Sequence, residues 1–233
     1  MAFTGMNPTE VLRYIHRSIG NLVYDIELTD EEIMNVVFQE TLPTFSKYFP
    51  YMFRSLLSEK DEVVAGSCCY TIPNVDGLRV LGISKVYLGD YYNYNVNLMP
   101  ASSDPFEMQT FANYRSMTQT PVTWHFYAPN KVEIYPRLYL NMRGLVLIKA
   151  VHPRHLATIP TSLRDQFCQL ALLDVLESLY PIRKRFENIS SPYGNIQLFM
   201  DQVERAHEER LQLLEKFHEN ILNRGDAFRI RAA

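Results

Sequence analysis

Glycine is scarce in this chain, nine of 233 residues, and neither G-x-x-x-x-G-K-[ST] nor G-x-G-x-x-G occurs. Both cradles need glycine so that backbone N–H groups can close on a phosphate, so nucleotide binding of those kinds is not indicated. The G-x-S-x-G turn that exposes a nucleophilic serine is missing as well. Cysteine is nearly as sparse. Cys68, Cys69 and Cys168 form no C-x-x-C pair, which argues against a disulfide framework or zinc ribbon and leaves buried, reduced thiols as the reading. No apolar run approaches the ~20 residues of a membrane helix, and residues 1–8 show no positive segment leading into an apolar one. Folding in a cytoplasm, with no membrane partner, is expected. There is no basic excess either: the formal charge is -3 and the pI about 6.1, against a general nucleic-acid binder.

What is present is core-forming material. Hydrophobic residues make up 47%, and Tyr and Phe supply nearly all the aromatics, so disorder is not expected. Helical signals gather at the ends. Asn7 and Pro8 offer a cap and a first-turn proline before the stripe Val11, Leu12, Ile15, Ile19, with Gly20 placed to stop it. Thr29 and Glu32 have capping-box spacing ahead of Ile33, Val36 and Val37. Leu42-Pro43 interrupts this pattern, leaving a short helix at 44–48, and a weaker helical pattern covers 51–59. From Pro160 a helix runs through Phe167, Leu170, Leu173, Asp174 and Leu179 until Pro181 stops or kinks it. A Ser/Pro/Gly turn and a last helix over 196–223 follow, with Gly225 just beyond.

The middle has a different rhythm. Residues 63–64, 68–72, 78–87, 122–127, 131–135 and 145–152 are rich in strand formers, with Gly82 placed as a bulge. Asn74 to Gly77 and Asn130-Lys131 read as hairpin connections, and 91–120 reads as a long loop with a short helix at 105–114. Connections this short favour antiparallel pairing. The expected fold is α+β: a helical bundle formed by both chain ends (1–62 and 159–233) with a central antiparallel β insertion at 63–158.

Candidate chemistry is thin. His152 and His155 lie three apart, but Pro153 spoils helical geometry and no third ligand is suggested nearby. His207 and His218 are not at ligand spacing. Glu31-Glu32 and Glu208-Glu209 are explained by a helix start and a solvated helix face. No catalytic, cofactor-binding or metal residue is assigned. Contact residues are easier to name. Tyr91, Tyr92 and Tyr94 form an aromatic loop suited to an interface or to packing on the sheet. In the last helix Phe199, Val203 and Phe217 belong to a heptad-like stripe interrupted by Arg210. That stripe packs within the bundle or between neighbouring copies, and the arginine must snorkel or meet a carboxylate. Arg183, Lys184 and Arg185 form a short basic run able to touch DNA phosphates.

The arrangement LALLDVLESLY at 170–180, IRKRF at 182–186, SPYGNIQL at 191–198 and then a long charged helix resembles the neck and head-completion (head–tail connector) proteins of contractile-tailed bacteriophages. TDEEI at 29–33 followed by TLPTFS at 41–46 is similar to the opening of the same group. The likeness covers roughly the first fifty and last seventy residues and departs in the Tyr-rich centre. It implies a structural virion protein assembled in the host cytoplasm into a homo-oligomeric ring of about twelve, alternatively about six, copies. Its place would be the neck, between portal and tail. Its partners would be portal and other neck or tail proteins, with non-specific contact to packaged DNA, and it would have no enzymatic activity and no cofactor. Other tail, collar or baseplate subunits, a cellular adaptor and an enzyme with an unrecognised site are the rival readings.

Overall fold

The computed structural model describes residues 5–19, 27–73, 75, 77–90, 122–138, 142–186, 190–191, 194–195 and 200–223. The fold is α+β, helices at both ends and antiparallel strands between. Two compact units are formed, one from Met1–Tyr51 with Val151–Ala233 and one from Met52–Ala150.

In the helical unit, α1 (Pro8–Ile19) begins where Asn7 Oδ1 accepts the Thr9 N–H at 3.1 Å and buries Val11 and Ile15. Helix α2 (Asp30–Val36) opens on the expected capping box: the Glu32 N–H donates to Thr29 Oγ1 at 3.3 Å, and the Thr29 N–H to Glu32 Oε2 at 2.8 Å. The Leu42-Pro43 interruption is corrected. The chain stays helical through a π turn (Val37–Thr41) into α3 (Leu42–Tyr48), with Pro43 in the first turn of α3. There its missing N–H costs little, and the wide turn absorbs one extra residue.

Pro181 does not end its helix either. Helix α4 runs from Arg164 to Phe186, because Leu179 and Ile182 on either side are held against the core and offset one lost backbone bond. Helix α5 (Met200–Asn223) closes the unit by burying Val203, Ala206, Leu213 and Phe217. The Phe217 ring sits edge-on to Phe45, Tyr48 and Phe49, with centroids 6.2, 5.8 and 5.2 Å away.

The second unit contains two three-stranded sheets where one small sheet was expected. Strand β1 (Tyr51–Leu57) replaces the helix read there. Its Met52, Arg54 and Leu56 are exposed while Ser55 and Leu57 are buried, a period of two. It neighbours β6 (Met142–Ala150), which pairs antiparallel with β3 (Val80–Asp90). The other sheet orders β2 (Cys69–Thr71), β5 (Lys131–Tyr135) and β4 (Thr123–Tyr127). The β4–β5 hairpin is the one expected. Strands β2 and β3, which flank 74–77, pair in different sheets, so the hairpin expected there is not formed between them. Strand β3 carries two register shifts, at Val80/Gly82 and Ile83/Lys85, the first at the glycine read as a bulge.

The two sheets share one core. Leu57, Val86, Val146 and Ile148 from the first meet Tyr70, Ile72, Val132 and Ile134 from the second, and the Tyr70 hydroxyl accepts the Leu138 N–H at 2.8 Å. A two-residue ladder, β7 (Ser190–Ser191) with β8 (Gly194–Asn195), lies in the expected Ser/Pro/Gly turn.

Candidate functional site

The polar groups of the helical unit converge where the π turn faces α4 and α5. Widening the helix puts Thr41 on the buried side, where its hydroxyl donates to Asp174 Oδ2 at 2.6 Å. Arg210 Nε donates to the other carboxylate oxygen at 2.5 Å and lies 3.5 Å from Glu177 Oε2, whose Oε1 is 2.9 Å from His207 Nδ1. Burial pushes the Asp174 carboxyl up from its ordinary value, against the lowering effect of the Thr41 and Arg210 hydrogen bonds. Burial disfavours the Arg210 charge too, yet the Asp174 contact raises its pKa overall. This arrangement ties α4 to α5 by paired charges and the π turn to α4 by a hydroxyl–carboxylate hydrogen bond.

His152 is a second buried polar group. Its backbone N–H donates to Ser46 Oγ at 3.1 Å, its Nε2 lies 2.9 Å from the Phe49 carbonyl and its Nδ1 2.7 Å from Thr158 Oγ1. A carbonyl only accepts, so Nε2 carries the proton and Nδ1 accepts from the threonine hydroxyl. Burial lowers the pKa of the ring, so the neutral tautomer is the one that fits. Both ring nitrogens are thus occupied, and neighbouring His155 instead accepts the Ala157 N–H at 3.2 Å. Among the described residues no group of three or more His, Cys, Asp or Glu is placed to hold a metal ion, and no helix is long and apolar enough to cross a membrane.

In the β unit, Arg137 donates Nε to Glu62 Oε1 at 2.8 Å and Nη2 to Oε2 at 3.1 Å, while the Gly66 N–H reaches Oε2 at 2.9 Å. The guanidinium holds the Glu62 carboxyl below its usual range. On the outer face of β5, Glu133 accepts from the hydroxyls of Tyr135 and Tyr127. This pushes the Tyr135 hydroxyl up to about 12.

The residues named from sequence fall into three groups. Tyr91, Tyr92, Tyr94 and Phe199 lie outside the described residues, as does the side chain of Arg185. Of the two readings open for the stripe, packing within the bundle or between copies, Val203 and Phe217 take the first: both are core positions of this chain's own bundle, almost wholly buried. Arg210 meets a carboxylate, as its place in an apolar stripe required, and that carboxylate is Asp174 of the same chain. Two members of the basic run, Arg183 and Lys184, are engaged locally. Arg183 is only 11% exposed and forks onto Glu27 with two 3.0 Å bonds. Lys184 donates to Tyr180 Oη at 3.1 Å, with its ammonium 5.1 Å from the ring centroid.

Sequence reasoning missed the outward face of the β1-β6-β3 sheet. Met52 and Leu56 of β1 and Leu81 and Tyr87 of β3 are exposed there. Leu145 and Leu147 of β6, opposite Tyr87 and Lys85, point the same way and pack against neither core. Arg54, Lys85, Arg143 and Lys149 share the face.

Together these features define an α+β protein in which, among the described residues, Asp174 meets Arg210, Glu62 meets Arg137 and His152 meets Thr158 and the Phe49 carbonyl. The family model described as bacteriophage ring protein matches residues 5–230, and the chain belongs to that family. It is therefore a structural, ring-forming phage subunit. No curated protein matches the sequence.

Proposed function

We propose that this subunit forms a ring in the neck of the virion, joining the portal of the head to the tail. The family match over nearly the whole chain carries the ring; the likeness of the 29–46 and 170–198 segments to connector proteins carries its position. The fold suits the role. A connector works by holding neighbours under load, and here the π turn, α4 and α5 are cross-tied by Thr41, Asp174 and Arg210, which stiffens the bundle from which contacts are made. Portal and other neck or tail proteins are its partners in this reading, with about twelve or about six copies closing a cyclic ring.

Imaging of assembled particles tests the position. Symmetric density for this chain between capsid and tail supports it, and density at the baseplate or along the tail tube refutes it. The same reading makes the protein non-enzymatic. His125→Ala, His155→Ala and His207→Ala are expected to leave particle assembly and infectivity intact. Normal particles that fail to infect, in any of the three, would count against a purely structural role.

A further inference from the structure

A head-to-tail ring needs two different surfaces on each copy that fit one another. The outward face of the β1-β6-β3 sheet has the character of one of them. Leu56 is 55% and Met52 45% exposed there, beside Leu145 and Leu147, and the exposed cations Arg54 and Lys85 form no ion pair among the described residues. A nucleic-acid surface is polar and strongly positive throughout. Apolar residues bordered by cations instead fit an acidic protein surface with an apolar centre.

Helix α5 has such a surface. Glu204, Glu208, Leu211, Glu215 and Glu219 follow one another at steps of four and three, which stacks them in a single stripe. The stripe lies on the side opposite Val203, Ala206, Leu213 and Phe217, and Leu211 at its middle is 47% exposed. Glu204 and Glu208, like Glu215 and Glu219, are like charges four residues apart, an unfavourable spacing on a lone helix. None of the four makes an ion pair among the described residues. The helix therefore bears a charge pattern that an external cationic surface would relieve.

We propose that the outward face of the β1-β6-β3 sheet of one copy docks on the acidic stripe of α5 in the next. Leu211 seats among the leucines, and Arg54 and Lys85 meet Glu208 and Glu215. This rests on the ring reading above.

The test uses the full-length chain, with sedimentation as the readout and circular dichroism confirming folding. Arg54→Glu/Lys85→Glu and Glu208→Lys/Glu215→Lys are each expected to abolish the oligomer, and an equimolar mixture of the two, which restores opposite charges at every contact, to recover it. High salt should weaken the parent oligomer. Assembly unaffected by either reversal, or lost in both without recovery on mixing, overturns this pairing while leaving the ring itself standing. A parent chain with no oligomer at any concentration defeats the ring reading, and the proposal with it. A folded sheet-face variant that assembles normally but loses DNA retention in a gel would assign the face to nucleic acid instead.

Discussion

The Glu62 carboxylate accepts two hydrogen bonds from Arg137 and one from the Gly66 N–H, and its side chain is only 4% exposed. Because its folded pKa is depressed, the stabilisation is present above the ordinary carboxylate value and is lost as pH falls through the lower folded one. The parent should therefore lose melting temperature in acid, and Glu62→Gln should be less stable near neutrality with a flatter acid limb; parallel limbs in a pH series of melts would contradict this. Cys168 is the opposite kind of residue. Burial pushes its thiol up to about 11, so little thiolate exists near neutral pH. Alkylation of the native protein should label Cys68 and Cys69, which are half-buried, well before Cys168, with all three reacting once it is unfolded. Arg210 and Asp174 invite a double-mutant cycle. Arg210→Met leaves a buried carboxylate without its cation and should cost about 3 kcal/mol, the low end for broken buried pairs, since part of the guanidinium is solvated. Asp174→Leu added to it should restore part of that loss in denaturant titration.

Helix α5 packs as its periodicity requires. Phe217→Ala empties a site walled by Phe45, Tyr48 and Phe49 and should cost about 3–5 kcal/mol of unfolding free energy. Glu208→Ala, on the solvated side, should leave the monomer's melting temperature unchanged. Elements fixed by neighbours in sequence were legible in advance: the cap of α1, the Thr29–Glu32 box and the β4–β5 hairpin. Elements fixed by distant partners were not. Strand β1 reads as a helix because Ser55, Leu56 and Leu57 blur its alternation, and only its place beside β6 settles it. The π turn leaves no local signal, since what requires it is Asp174, 133 positions from Thr41. Arg210 announced a carboxylate through its place in an apolar stripe, but not which one. The outward sheet face escaped notice because Leu145, Val146, Leu147 and Ile148 form an unbroken apolar run, the signature of a strand buried on both faces, whereas this sheet covers only one of them.

For the whole molecule, the family assignment makes self-association the relevant behaviour, and self-association carries a hazard. Many identical chains at high local concentration offer one another unpaired strand edges, a template for runaway cross-strand polymerisation. Among the described residues of the two three-stranded sheets, three of the four edges are blunted, the seven-residue β1 being the fourth. Strand β2 is three residues long, and β4 five. The longest edge, β3, is broken by its two register shifts, which set extra residues at Leu81 and Ser84 against β6 and put a lysine immediately after the second. A bulged edge twists away from a flat partner and cannot be extended in register. Deleting Leu81 and Ser84 together would straighten β3, and the expected result is thioflavin-positive fibres where the parent gives discrete oligomers. Equal amounts of fibre from both would show that the bulges do not guard the edge. With that guard in place β3 is closed to backbone pairing, where nothing would tell the stack to stop, and a meeting through side chains on faces, as proposed above, fixes an angle at which a ring can close.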